Sequence, residues 1–254
     1  MKLEEIFESG EFLLSRNKEL DHSDTEYILK RLRDEDGQKI YDILPYLRVV
    51  ETVPDELLEP IIREAIEYKD ISLPKRWMNT ITRLFTPEKV QDELLQIISS
   101  NESLRVKCRA VGILCCVDIP GYEEKIDERG EIQLKCRDNY IWNGKRYERT
   151  CRDCDIEIIE KRRREFSQKR LKTLVNEFVS NKNLVYRYYI RTYLSFNIDD
   201  YPEEIIEKTK EVIKIISGEE FPSGIDRVEQ LRDAIQFSPE LENLLYQELN
   251  WQRR

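Results

Sequence analysis

Six cysteines and one histidine are the residues best suited to chemistry in this 254-residue chain. The cysteines stand at 108, 115, 116, 136, 151 and 154, all in the middle of the chain. Cys136-Arg-Asp-Asn139 and Cys151-Arg-Asp-Cys154 are one tetrapeptide with a single position changed. Thiolates at the Cys-x-x-Cys spacing converge on a tetrahedral cation, the geometry zinc prefers. Here Cys136, Cys151 and Cys154 supply three thiolates and Asn139 stands where the fourth would be, so Asp138, Asp155 or water would have to complete the shell. The competing reading is a metal-free segment whose cysteines pack as small apolar residues. Cys108, Cys115 and Cys116 fall at i, i+7 and i+8 of an expected helix and read as core.

Other chemistries find little to work with. A Ser-His-Asp or Cys-His catalyst would have to rest on His22, which lies in the polar stretch Asp21-His-Ser-Asp24 and reads as a solvated residue ahead of a helix. No glycine-rich phosphate loop, dinucleotide fingerprint or nucleophile elbow occurs in a chain with only eight glycines. A non-enzymatic protein is expected.

The cysteine tetrapeptides sit in a stretch that breaks the rhythm of the chain. Asp118-Ile-Pro-Gly121 ends a helix, and Ile132 to Cys136 alternates like a strand. Asn143-Gly144, flanked by Tyr140-Ile-Trp142 and Lys145-Arg-Tyr147, predicts a hairpin, because a two-residue turn needs positive φ at both positions. Two knuckles on either side of a hairpin resemble a zinc ribbon. That resemblance covers residues 136–154 and implies one Zn²⁺ between the knuckles, with Asn139 as the departure from the pattern.

Elsewhere the punctuation marks helix starts. Ser23-Asp-Thr-Glu26 is a capping box, and Thr86-Pro87-Glu88 and Ser238-Pro239-Glu240 put a cap oxygen, a proline and an acid in succession. Val53-Pro54-Asp55-Glu56 and Tyr201-Pro202-Glu203-Glu204 repeat the proline and acid. Between these marks apolar residues recur at three and four, as in Leu57, Leu58, Ile61, Ile62, Ala65 and Ile66. Helices are expected near 3–17, 24–34, 38–50, 54–69, 74–85, 87–99, 103–117, 156–180, 184–196, 202–217, 225–236 and 239–252.

An internal repeat gives the architecture. Leu94 to Lys107 aligns without gaps on Leu174 to Arg187, and the same offset continues to Leu114 over Leu194. Each copy reads as a helix ending in Ser-Asn, a tight turn and a second helix opening with Leu. A looser copy runs from Leu57 to Trp77. Helix pairs of this kind cannot bury their apolar faces alone and stack on one another. The pattern resembles the HEAT and armadillo repeat proteins over most of the chain outside residues 119–155. It implies an all-α superhelix of about five to six helix pairs, divided into helical repeats over 1–118, an inserted β-hairpin over 119–155 and further repeats over 156–254. An irregular helical bundle is the alternative.

Charge is segregated along the chain. The overall net charge is −9, but residues 1–70 carry −9, residues 131–193 carry +7 and residues 194–254 carry −7. Lys161, Arg162, Arg163, Arg164, Lys169, Arg170 and Lys172 place seven cations in twelve residues. They form either a patch for phosphate or an acidic partner, or a solvated helix neutralised by the chain's own acids. Tyr186, Tyr188, Tyr189, Tyr193 and Phe196 interleave with Arg187 and Arg191, and aromatic residues and arginine are enriched at interfaces.

The function expected first is a scaffold or adaptor for a protein partner, its groove lined by Arg76, Lys107, Arg187, Tyr189 and Arg191. A nucleic-acid-associated protein using the ribbon and the helix at 156–180 is second. An immunity or antitoxin-like neutralising protein with an acidic surface is third. No apolar run reaches the roughly 18 residues that span a bilayer, and the acidic start is unlike an export signal, so no membrane partner and a cytoplasmic location are expected.

Overall fold

The computed structural model describes residues 20, 22–33, 43, 47, 50, 53–67, 74–119, 122–126, 132–136, 140–142, 147–149 and 156–217, with backbone alone at 74–76, in the segments between 122 and 149, and at 156–159. Helix dominates these residues. The helices are α1 His22–Arg33, α2 Leu58–Glu67, α3 Pro74–Phe85, α4 Pro87–Ser99, α5 Leu104–Leu114, α6 Ile156–Ser180, α7 Leu184–Arg191 and α8 Ile206–Ser217. The helices expected at 3–17, 38–50, 225–236 and 239–252 lie wholly or mostly outside the described residues.

Proline sets the entry of several of these helices. Pro54 and Pro202 each precede a 3₁₀ turn, at Asp55–Leu57 and Glu203–Ile205, which runs directly into α2 and α8. Their carbonyls accept from the amides of Leu57 and Ile205, both at 3.1 Å, so a residue lacking an N–H still nucleates the turn through its oxygen. α1 differs from expectation: it starts at His22, which places Ser23 and Glu26 inside the helix and His22 in an i,i+4 pair with Glu26 at 3.6 Å.

At the junction between α3 and α4, Thr86 takes φ 69°, the left-handed region that a β-branched residue enters only with strain. Its Oγ1 accepts from the Lys89 amide at 3.5 Å and its carbonyl accepts from Val90 at 3.3 Å, so the strained residue also caps α4.

Between α5 and α6 lie two antiparallel strand pairs, β1 Tyr122–Ile126 with β2 Ile132–Cys136, and β3 Tyr140–Trp142 with β4 Tyr147–Arg149. The register sets Tyr122 opposite Cys136 and Trp142 opposite Tyr147.

The chain forms two compact units, each discontinuous in sequence. The division falls inside α4, at Glu93 and Leu94, and inside α6, at Arg163 and Arg164. In the first unit α2 packs on α1 and α3, burying Ile28, Ile61, Ile62, Trp77, Met78, Ile81 and Phe85. Arg83 fixes a neighbouring segment by donating from its two terminal nitrogens to the carbonyls of Leu47 and Val50, at 2.7 and 2.9 Å. In the second unit α5 packs on α7, and α8 on the 3₁₀ turns Ile198–Asp200 and Glu203–Ile205 before it, around Leu94, Ile98, Cys108, Leu174, Phe178 and Tyr186.

The two aligned segments, 94–114 and 174–194, are built alike. Ser103 caps α5 by accepting from Val106, and Asn183 caps α7 by accepting from Val185 and Tyr186. Ser100 and Ser180, at matching positions, each return a hydroxyl to the carbonyl three residues back. The buried faces of the first helices match as well, Leu94 with Leu174 and Ile98 with Phe178. Those of the second helices match only in part: Ala110 and Ile190 are both buried, as are Leu114 and Leu194, but α5 also buries Lys107, Cys108, Val111 and Ile113 while α7 buries Val185, Tyr186 and Tyr189.

Relieving the strain at Thr86 should stabilise the protein. Thr86→Asn keeps a capping oxygen and tolerates positive φ better, and should raise unfolding stability by about 0.5–1 kcal/mol. Thr86→Ala retains the strain, loses the cap oxygen and should lower stability by about 1 kcal/mol in urea titration.

Candidate functional site

Two features stand out, one in the interior of the second unit and one at the surface. The interior feature is ionic. Lys107 of α5, only 9% exposed, reaches the Glu177 carboxylate of α6 at 3.1 Å. The Tyr186 hydroxyl of α7 donates to the same Oε2 at 3.0 Å, and the Lys107 ammonium lies 5.8 Å from the centre of the Tyr186 ring. Three helices thus meet on one carboxylate. Burial, then the Glu177 charge and the hydrogen bond to it, hold the Tyr186 phenol well above its ordinary value of 10, so it stays a donor.

Arg187, the repeat counterpart of Lys107, does different work. Its Nε donates to the carbonyls of Phe178 and Asn181 at 2.9 and 2.7 Å, and its guanidinium lies 4.8 Å from the centre of the Phe178 ring. It therefore closes the C-terminus of α6, where carbonyls lack helical partners. Tyr189 is 8% exposed and meets Tyr188 edge-on at 6.1 Å. Arg191, half-buried, ends α7. Of the residues expected to line a groove, the structure brings Lys107, Arg187 and Tyr189 into the packing of α5, α6 and α7. Arg76 falls on α3 with its side chain outside the described residues.

The surface feature is α6. Lys161, Arg162, Arg164 and Lys169 are exposed, while Arg163 and Arg170 are half-buried. Arg170 lies 5.1 Å from the centre of the Phe166 ring. Several cations meet acids of their own unit: Arg162 donates to Glu88, and Lys172 to Glu204 at 2.8 Å. Burial alone would raise the Glu88 carboxyl, but the Arg162 hydrogen bond and charge outweigh it and hold the group below the usual carboxylate range. A second rung, Lys208 of α8 to Asn176 at 3.1 Å, lies four residues along from the Lys172–Glu204 pair on each side, Glu204 itself belonging to the 3₁₀ turn that leads into α8.

The cysteines divide. Cys108 is fully buried, as expected for core, but Cys115 is exposed and Cys116 half-exposed. The reason is the end of α5 at Leu114, before the i+7 repeat can return Cys115 to the buried face; its thiol instead donates to the Gly112 carbonyl at 2.9 Å. The expected zinc ligands fall elsewhere: the Cys136 side chain, Cys151, Cys154, Asp138 and Asp155 lie outside the described residues. Among the described residues no group of three metal-ligating side chains comes together.

Nothing in the sequence marks the Lys107–Glu177–Tyr186 junction, because Glu177 aligns with Ile97 in the other copy and looks like an isolated acid on a basic helix. The turn after α7 also departs from the expected helix, which would have continued to 196. There Tyr201, buried, donates to the Ser195 carbonyl at 2.6 Å, and burial pushes its phenol up to about 12.

Two outcomes test these assignments. Lys107→Met leaves Glu177 without its cation and should destabilise the protein by about 2–4 kcal/mol, with much of the loss recovered in Lys107→Met/Glu177→Gln, as read by urea midpoints. A phenol held up to about 12 stays protonated while its unfolded counterpart ionises near 10, so its stabilisation is complete below pH 10 and is lost between pH 10 and 12. Tyr201→Phe should therefore flatten the decline of thermal midpoint in that window relative to the unsubstituted chain.

Comparison of the chain with family models, curated proteins and solved structures returns no match.

Proposed function

We propose that the chain is a non-enzymatic helical-repeat scaffold of the HEAT and armadillo type that binds a protein partner. The observation that supports this reading is the shared build of the two aligned segments: the same helix, the same serine turn, the same capped second helix, packed within one unit. Repeated helix pairs that bury one face against each other leave the other faces free for extended contact.

A partner with acidic character fits the exposed cations of α6 better than it fits Lys107 and Arg187, which are committed to helix packing. The same cations motivate the second reading, a nucleic-acid-associated protein, since lysine and arginine on one helix suit a phosphate backbone equally well. Zinc held by Cys136, Cys151 and Cys154 belongs to that second reading.

Arg164→Glu/Lys169→Glu in the full chain separates these readings. For a scaffold using α6, a protein partner captured at physiological salt should be retained about tenfold less by the variant, with an unchanged thermal midpoint. Binding of single-stranded or duplex nucleic acid with a steep inverse dependence on salt would favour the second reading instead. Capture that is indifferent to both substitutions would remove α6 from the binding surface.

A further inference from the structure

The turn after α7 carries Phe196, the one large apolar side chain among the described residues that is exposed, at 62%. Isolated apolar residues are ordinary on protein surfaces. What distinguishes Phe196 is how it is mounted and what surrounds it.

The mounting is rigid. Ser195 Oγ donates to the Asp200 carboxylate and accepts from the Asn197 amide at 3.1 Å, while Asn197 Oδ1 accepts from the Asp199 amide at 3.2 Å. The buried Tyr201 ties the far side of the turn back to the Ser195 carbonyl at 2.6 Å. Phe196 therefore projects from a loop closed by hydrogen bonds on both sides of it. Little further ordering is required to present the ring, and the cost of binding falls accordingly.

The surroundings are predominantly acidic. From Thr192 to Glu207 the chain holds five carboxylates, bounded by Arg191 on one side and by Lys208 and Lys210 on the other. All five, Asp199, Asp200, Glu203, Glu204 and Glu207, are exposed; Glu204 is met by Lys172 and Glu207 by Lys210 at 2.6 Å, so the acidic excess rests on Asp199, Asp200 and Glu203. Such a field repels phosphate backbones and anionic lipid and attracts cationic protein surface.

We propose that this turn is a docking site for a protein partner that offers an apolar pocket edged by lysine and arginine, with the Phe196 ring entering the pocket. The ring supplies the buried anchor and the carboxylates supply the rim, the division of labour found where one aromatic residue dominates an interface. The proposal rests on the binding-module reading and adds to it a second surface, of opposite charge to α6.

The test places a photoreactive residue at the tip. The full chain carrying Phe196→p-benzoylphenylalanine is irradiated in native extract, beside a second variant with the same residue at Lys169. Support is a cross-link from position 196 to a protein peptide of net positive charge, with a yield falling about tenfold in Asp199→Lys/Glu203→Lys. Those two side chains are exposed and lie outside the bonds that close the loop; Glu203→Lys alone serves as the charge probe should the double variant lose its thermal midpoint. A cross-linked peptide of neutral or negative charge, a cross-link to nucleic acid or to a second copy of the chain, or a yield unaffected by charge reversal would overturn the proposal. Cross-linking at 169 with none at 196 would overturn this site alone, and none at either would count against the binding reading as well.

Discussion

An ammonium group withdrawn from water needs an anion, and in this protein the need is met by a single carboxylate shared among three helices. Lys107 and Tyr186 converge on Glu177 from α5 and α7, so the position of α6 is fixed by the demand of two neighbours at once. Apolar packing alone tolerates small slips between helices. A buried charge does not, because any slip that separates it from its partner leaves it desolvated and uncompensated. The contact thus specifies a register that Leu94, Ile98, Leu174 and Phe178 only favour.

The same logic, weakened by solvent, runs over the surface. Arg162 with Glu88, Lys89 with Asp55 and Lys172 with Glu204 each join a cation to an acid distant in sequence but within the same unit. Exposed pairs contribute little to stability. Their effect here is on the field: segments of opposite net charge in the sequence partly cancel in space. Around Phe196 the cancellation is incomplete, which is why that turn keeps a distinct sign.

Helix starts and stops were legible where local chemistry decides them. Pro74 and Pro87, the Ser-Asn turns and the leucines that open α5 and α7 stand at element boundaries because caps and prolines act within one turn of chain. Legibility failed where tertiary packing decides. α7 ends at Arg191 rather than near 196, since the amides of Thr192, Tyr193 and Leu194 tighten into three-residue bonds that turn the chain away. The periodicity of Cys108 and Cys115 implied a common face, and the end of α5 removed it. Above all, aligned positions diverged: Lys107 and Arg187 match in the repeat, yet one crosses to another helix and the other closes its own helix pair, a choice set by which face of each second helix is buried. Sequence shows which positions correspond, but not which neighbours each will have.

α6 runs unbroken for 25 residues through the division between the two compact units, and α4 crosses it too. Helix formation is cooperative along its length, so melting one half withdraws support from the other. Neither unit can be excised by cutting at its boundary without severing two helices in mid-course.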